Sequence, residues 1–170
     1  MAKQSTCILQ TASENDIHRI QHIEQMADTI FPQGKLGGTQ TTMERSTQLQ
    51  LIQDETLWLA NIGKDTVGFI ACKREMPYLY LLQISVLPKY MKQGIGQALF
   101  HQSLVYALEQ GLTEILLTCF QDIKWNINFY QRLGFTVISD LDSYPKLRQI
   151  LSEEASAGLI NRIAMSMKTN

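Results

Sequence analysis

The sequence predicts an α/β (α+β) fold: a mixed, mostly antiparallel central sheet with helices on both faces. Three observations carry this. Runs rich in Val, Ile, Tyr and Phe alternate with segments of helical apolar spacing. The turn signal Gly63-Lys64-Asp65 joins two such runs into a hairpin. An apolar strand, a helix and a second apolar strand then follow over 78–120, a βαβ crossover. Of the 170 residues, 45% are hydrophobic and 18% charged, which supplies a full core. The length predicts one domain over 1–170.

Thr6–Thr11 alternates apolar and polar residues and reads as a strand. Ser13 opens S-E-N-D, an N-cap with acids in the first turn. Ile17, Ile20, Ile23, Ala27, Ile30 and Phe31 follow at helical spacing, and Pro32 with Gly34 ends the helix. Residues 35–42 are polar, contain Gly37-Gly38 and read as a mobile loop. Thr42–Gln53 reads as a second helix, Thr56–Ile62 and Thr66–Arg74 as the hairpin, and Tyr78–Val86 as a strand stopped by Pro88. Gly96–Gln110 is helical, with Ala98, Leu99, Leu104, Val105 and Leu108 turned inward and Gly111 as its stop. Glu114–Phe120 is a strand, Trp125–Leu133 a short helix ended by Gly134, and Phe135–Ile138 a strand. Tyr144–Ala157 reads as a helix and Arg162–Met167 as the last strand.

Fifteen Lys and Arg oppose sixteen Asp and Glu. Nucleic-acid binders neutralise phosphates and are far more basic, so this balance argues against nucleic acid and against a polybasic membrane binder. No run of about 18 apolar residues or apolar leader core is present, so no membrane association is expected. Cys7, Cys72 and Cys119 are odd in number, far apart and on strand segments. They read as free thiols in a reducing compartment, which points to the cytoplasm. The three histidines make no HExxH, and no metal site is expected.

Strand 78–86 runs through Leu87-Pro88-Lys89-Tyr90-Met91-Lys92-Gln93-Gly94-Ile95-Gly96-Gln97 into a helix. Gly94 and Gly96 permit a tight turn and close approach to the backbone. The first N–H groups of the helix lack internal acceptors and sit at its positive end, so they suit a phosphate or pyrophosphate. Lys89 and Lys92 add positive charge. A Walker A loop is absent, and Leu99 replaces the third glycine of a dinucleotide fingerprint.

The segment from Val86 to Leu99 resembles the acetyl-CoA loop of the GNAT superfamily of N-acetyltransferases, with Met91 where that family has Gln or Arg. Downstream, Asn126-Ile127-Asn128-Phe129-Tyr130, followed by Gly134-Phe135, resembles the second signature of that family. Leu117–Asn126 and the tail with Glu153-Glu154 and Arg162–Met165 are similar to a bacterial subgroup acting on small-molecule amines. The resemblance implies acetyl-CoA as co-substrate, held by Met91, Lys92, Gln93, Gly94, Ile95, Gly96 and Gln97. It also implies that the strand with Ile84, Ser85 and Val86 splays from its neighbour to admit the pantetheine arm. Asn126 would contact that arm, and Tyr130 would protonate the leaving thiolate.

Direct acetyl transfer needs a neutral amine, a polarised carbonyl and a proton for sulfur, and no covalent enzyme intermediate. Tyr130, with an ordinary pKa of ~10, is protonated at neutral pH as an acid must be. Many family members carry a basic Glu on the fourth strand. The matching position here is Gln83, which accepts no proton. Glu24 falls within or beside the apolar stripe of the first helix, where a carboxylate is costly unless paired or functional. It is the candidate base and amine ligand, assisted by Asp28, Phe31 and Gln83 at the acceptor. Trp58 and Tyr80 are further candidate walls.

The expected reaction is therefore acetylation of a small cationic primary amine such as a polyamine. Protein lysine or N-terminal acetylation and a non-catalytic CoA-binding module stay open, as does a homodimer. The charge distribution agrees with an anionic cofactor and a cationic amine: residues 1–55 carry −3, 56–110 carry +2 and 111–170 carry 0.

Overall fold

The computed structural model describes residues 6–36 and 42–170; the Gly37-Gly38 loop expectation lies outside the described residues. These form strands β1 (Cys7–Thr11), β2 (Leu57–Ile62), β3 (Asp65–Glu75), β4 (Tyr78–Val86), β5 (Glu114–Phe120), β6 (Thr136–Val137) and β7 (Arg162–Lys168). The helices are α1 (Ile17–Asp28), α2 (Arg45–Gln53), α3 (Ile95–Glu109), α4 (Lys124–Arg132) and α5 (Pro145–Ser156). One sheet runs in the order β1-β2-β3-β4-β5-β7-β6. Every neighbouring pair is antiparallel except β4 with β5.

Helices cover both faces, as the element order predicts. On one face α3 and α4 pack Leu99, Phe100, Ala107 and Tyr130 over Ile70, Leu79, Ile115 and Met165. On the other, α1 and α2 pack Ile20, Ile23 and Leu51 over Leu59, Phe69 and Ala71. Leu147 of α5 covers Tyr80, Leu116 and Ala164 on that same face. The buried stripe of α3 is Ile95, Leu99, Phe100, Ser103 and Ala107. Leu108, expected inward, is 51% exposed because that stripe leaves it beyond its edge.

Two irregularities of β4 prepare the site. The first is a bulge. Ala71 pairs with Gln83 but Cys72 pairs with Leu81, so Leu82 is an extra residue. Because side chains alternate, this one residue reverses the faces. Leu79 and Leu81 face α3 before it, and Ile84 and Val86 do so after it. Gln83 and Ser85 thereby turn toward α1.

The second is splay. The parallel pairing of β4 with β5 consists of Tyr78–Glu114, Leu79–Ile115 and Tyr80–Leu116 and ends there. Beyond it the strands diverge, and β5 stays bound to β7. Gln121 gives its N–H to Asn161 on the β7 side. By strand alternation Thr118 and Phe120 aim their backbone groups into the gap. Side chains meet two of them: Asn126 Oδ1 accepts the Phe120 N–H at 3.0 Å, and Arg162 Nη2 donates to the Thr118 carbonyl at 3.2 Å. Two backbone groups on the β5 side of the gap are thus met by side chains and not by a strand.

Candidate active site

The gap opens into a cleft of about 920 Å³ between α1, β4, α3 and α4. Its floor is the end of β4, with Ile84, Ser85 and Val86. Its far wall is the loop into α3. Lys92 there has φ +61° and Gly94 φ +81°, two left-handed residues that turn the chain sharply into the helix. Ala98 N–H is the first to find a helical acceptor, the Gly94 carbonyl at 2.9 Å. The N–H groups of Ile95, Gly96 and Gln97 are left at the positive end of a fifteen-residue helix, and all three residues line the cleft. At Gly96 an added Cβ would stand 3.1 Å from the ring of Phe129, so its lack of a side chain lets α3 and α4 approach.

Met91 and Lys92 line this wall too. Gln93 does not: it is exposed, and its side chain turns back to donate to the Lys89 carbonyl at 3.2 Å. On α4, Asn126 and Tyr130 face the cleft. The Asn126 carbonyl oxygen is committed to Phe120, which leaves its NH₂ for a ligand. Tyr130 is 7% exposed, with its ring 5.2 Å from that of Phe129 and 5.9 Å from that of Phe135. Burial pushes its hydroxyl pKa up, so it stays protonated at neutral pH.

The α1 side is acidic. Asp28 and Phe31 line the cleft; Glu24, one turn before Asp28 and 2% exposed, does not line it, and neither does Gln83. Both Glu24 carboxyl oxygens accept the Met43 N–H at 3.0 Å, and Gln83 adjoins them. Burial pushes the carboxyl up to about 7, against the lowering by Met43 and Gln83; Asp28 adds a small further rise. Burial raises Asp28 as well. Gln83 also donates to Ser85 Oγ at 3.2 Å, which links the carboxyl to the cleft floor.

The expected walls Trp58 and Tyr80 lie elsewhere. Trp58 packs edge-on to Tyr106 at 5.4 Å within the α3-side core. Tyr80 sits under α5, before the bulge that turns later residues of β4 toward α1. Sequence reasoning missed other walls: Ala27 and Ile30 beside Phe31, Tyr90 in the turn after β4, and Trp125, Phe129, Arg132 and Leu133 on or just past α4. The spacing of Phe129 and Leu133 from Asn126 signals that shared helical face. Arg132, which lines the same cleft as Lys92, adds a cation that no motif marked.

Cys7, Cys72 and Cys119 are free, and burial pushes Cys119 up to about 11, far from a nucleophilic thiolate. Among the described residues no three His, Cys, Asp or Glu converge as metal ligands, and no helix is long and apolar enough to cross a membrane.

Residues 20–135 match the model of the acetyltransferase (GNAT) family. An uncharacterized N-acetyltransferase of Methanocaldococcus jannaschii is 31% identical over 91 residues, covering 48% of this chain and 39% of that protein. N-alpha-acetyltransferase 30 of Homo sapiens is 30% identical over 83 residues, 46% of this chain and 23% of that protein. The chain spans less than half the length of these curated relatives. Two solved structures share the fold. The PaiA N-acetyltransferase from Thermoplasma acidophilum in complex with coenzyme A has TM-score 0.71 and 16% identity, covering 96% of this chain and 99% of that one. The ribosomal-protein-S18-alanine N-acetyltransferase from Escherichia coli has TM-score 0.71 and 19% identity, covering 97% and 95%. Strands β2 to β5, the splay and the glycine loop fall within the matched span, and by that match the chain belongs to the acetyltransferase (GNAT) family.

Proposed function

We propose that this chain transfers an acetyl group from acetyl-CoA directly to the primary amine of a small cationic compound, with a polyamine as the model acceptor. The observation that carries this reading is Glu24. It is a buried carboxyl tuned to about 7, one turn from Asp28 at the cleft wall, and it faces the strand that bears Ser85. A base near neutrality both attracts an ammonium and removes its proton.

The loop N–H groups of Ile95, Gly96 and Gln97, with Lys92 and Arg132, suit a pyrophosphate. The unpaired edge of β4 at Ile84–Val86 suits the pantetheine amides and the acyl oxygen. Acetyl-CoA supplies the activated carbonyl. Glu24, which lies behind the cleft lining, takes the proton from the acceptor ammonium through water held at Gln83 and Ser85. The amine nitrogen bonds to the carbonyl carbon as the carbon–sulfur bond breaks, Tyr130 gives its hydroxyl proton to the sulfur, and the proton that the nitrogen sheds on becoming an amide passes through water to restore the Tyr130 hydroxyl. Lys92 and Arg132 hold the phosphates throughout. In this reading the chain acts as one domain over 1–170.

The names of N-alpha-acetyltransferase 30 and of the S18-alanine enzyme support a second reading, acetylation of a protein N-terminus. Thiol release, with products identified by mass, is to be followed across diamines, polyamines, amino sugars and N-terminal peptides. Turnover of small amines over peptides is expected. Turnover of peptides alone would favour the second reading, and tight acetyl-CoA binding without turnover of any amine would leave only a binding module.

A further inference from the structure

The two faces of the sheet meet at one end of the cleft. α1 and α4 cover opposite faces, yet Phe31, just past α1, has its ring 4.9 Å from that of Trp125 at the start of α4. The same Phe31 ring is 5.7 Å from Phe120 at the end of β5. The chain then turns, with Lys35 N–H bonded to the Pro32 carbonyl at 3.0 Å. This turn brings the Lys35 ammonium into an ion pair with Asp122, 5.2 Å above the Phe120 ring. Asn161 Nδ2 holds the same Asp122 carboxylate at 3.0 Å. The Lys35 side chain is only 13% exposed, against 44% for Asp122.

A lysine withdrawn this far from water needs its counter-ion to stay there. Asn161 fixes that counter-ion, and the ring of Phe120 offers its face to the cation. The contact therefore ties the segment after α1 to the loop after β5 at both an aromatic and an ionic point. Phe31 and Trp125 are walls of the cleft on the Asp28 side, whereas the glycine loop lies on the α3 side.

We propose that the Lys35–Asp122 pair is a latch that holds Phe31 against Trp125 and thereby fixes the acceptor wall. Lys35, Asp122 and Asn161 are then positioning residues for the acceptor and not for acetyl-CoA. The naming of those two ligands rests on the acetyltransfer reading; the latch itself does not. Without the latch, Phe31 is ordered only when the acceptor binds, and the acceptor's apparent affinity falls by that ordering cost.

The chain's two tryptophans make the test direct. Trp58 is 4% exposed and Trp125 45%, so acrylamide quenching reports on Trp125. Lys35→Ala and Asp122→Ala are expected to raise the quenching constant and shift emission to the red. The double charge reversal, Lys35→Asp with Asp122→Lys, is expected to restore both. In turnover the single variants should raise acceptor KM about tenfold, equivalent to ~1.4 kcal/mol, with acetyl-CoA Kd and kcat little changed. Unchanged quenching in both single variants overturns the latch. Raised quenching with an unchanged acceptor KM, or with acetyl-CoA Kd rising in step, overturns its role toward the acceptor. If the unaltered chain acetylates no amine, the proposed function fails, and quenching alone decides whether the latch exists.

Discussion

Both carboxyl oxygens of Glu24 stand 3.0 Å from the backbone N–H of Met43, inside the layer between α1 and α2. One N–H shared by two oxygens leaves the carboxylate short of donors, so burial dominates and the folded value rises from 4.5 to about 7. Between those values the folded chain keeps a proton that the unfolded chain has released. Stability from this group is full below the unfolded value and is lost as pH rises through about 7. Glu24→Gln removes that loss, on the order of 1–3 kcal/mol. Its Tm relative to the unaltered chain should climb from pH 4.5 to pH 7 and then level off. A Tm difference that does not vary with pH would show an ordinary carboxyl.

Tyr130→Phe removes one oxygen and leaves the ring packed on Phe129 and Phe135. Stability and acetyl-CoA affinity should change little, while kcat falls about 10²-fold or more as the sulfur loses its acid. Calorimetry beside steady-state kinetics checks this. An unchanged kcat removes Tyr130 from the mechanism.

Asn126→Ala leaves the Phe120 N–H without an acceptor at the splayed edge and should cost roughly 1–3 kcal/mol. Asn126→Asp keeps an oxygen there and should restore most of the loss. Amide exchange at Phe120, slow in the unaltered chain and in the Asp variant but fast in the Ala variant, is the readout.

Gly68 on β3 allows β3 and β4 to close behind the cleft floor. A Cβ there would stand 2.9 Å from the Ser85 carbonyl oxygen and 3.3 Å from Leu99 Cδ1. Backbone cannot yield as a side chain can, so Gly68→Ala should destabilise by roughly 1–3 kcal/mol in urea unfolding and weaken acetyl-CoA binding through Ser85.

The elements were legible because their signals are local. Pro88 and Gly94 punctuate the passage from β4 to α3, and Ile17, Ile20 and Ile23 mark the buried face of α1. Glu24 was visible as a carboxylate on an apolar stripe. What stayed hidden depends on pairing. Nothing in Leu81-Leu82-Gln83 announces a bulge, yet it decides that Gln83 faces Glu24 while Tyr80 lies under α5. The cap of Thr118 by Arg162 joins residues 44 apart in the chain, which no motif spans. Gln93 sits within the loop signature, but its side chain folds back on Lys89.

The most direct test of the account is the pH dependence of kcat/KM for a diamine, measured for the unaltered chain and for Glu24→Gln. A rise to a plateau with an apparent pKa of about 7 is expected in the unaltered chain. In the variant that limb should vanish, with kcat/KM lower by ~10²–10⁴-fold and acetyl-CoA Kd unchanged. A variant that keeps both the limb and the rate would contradict it.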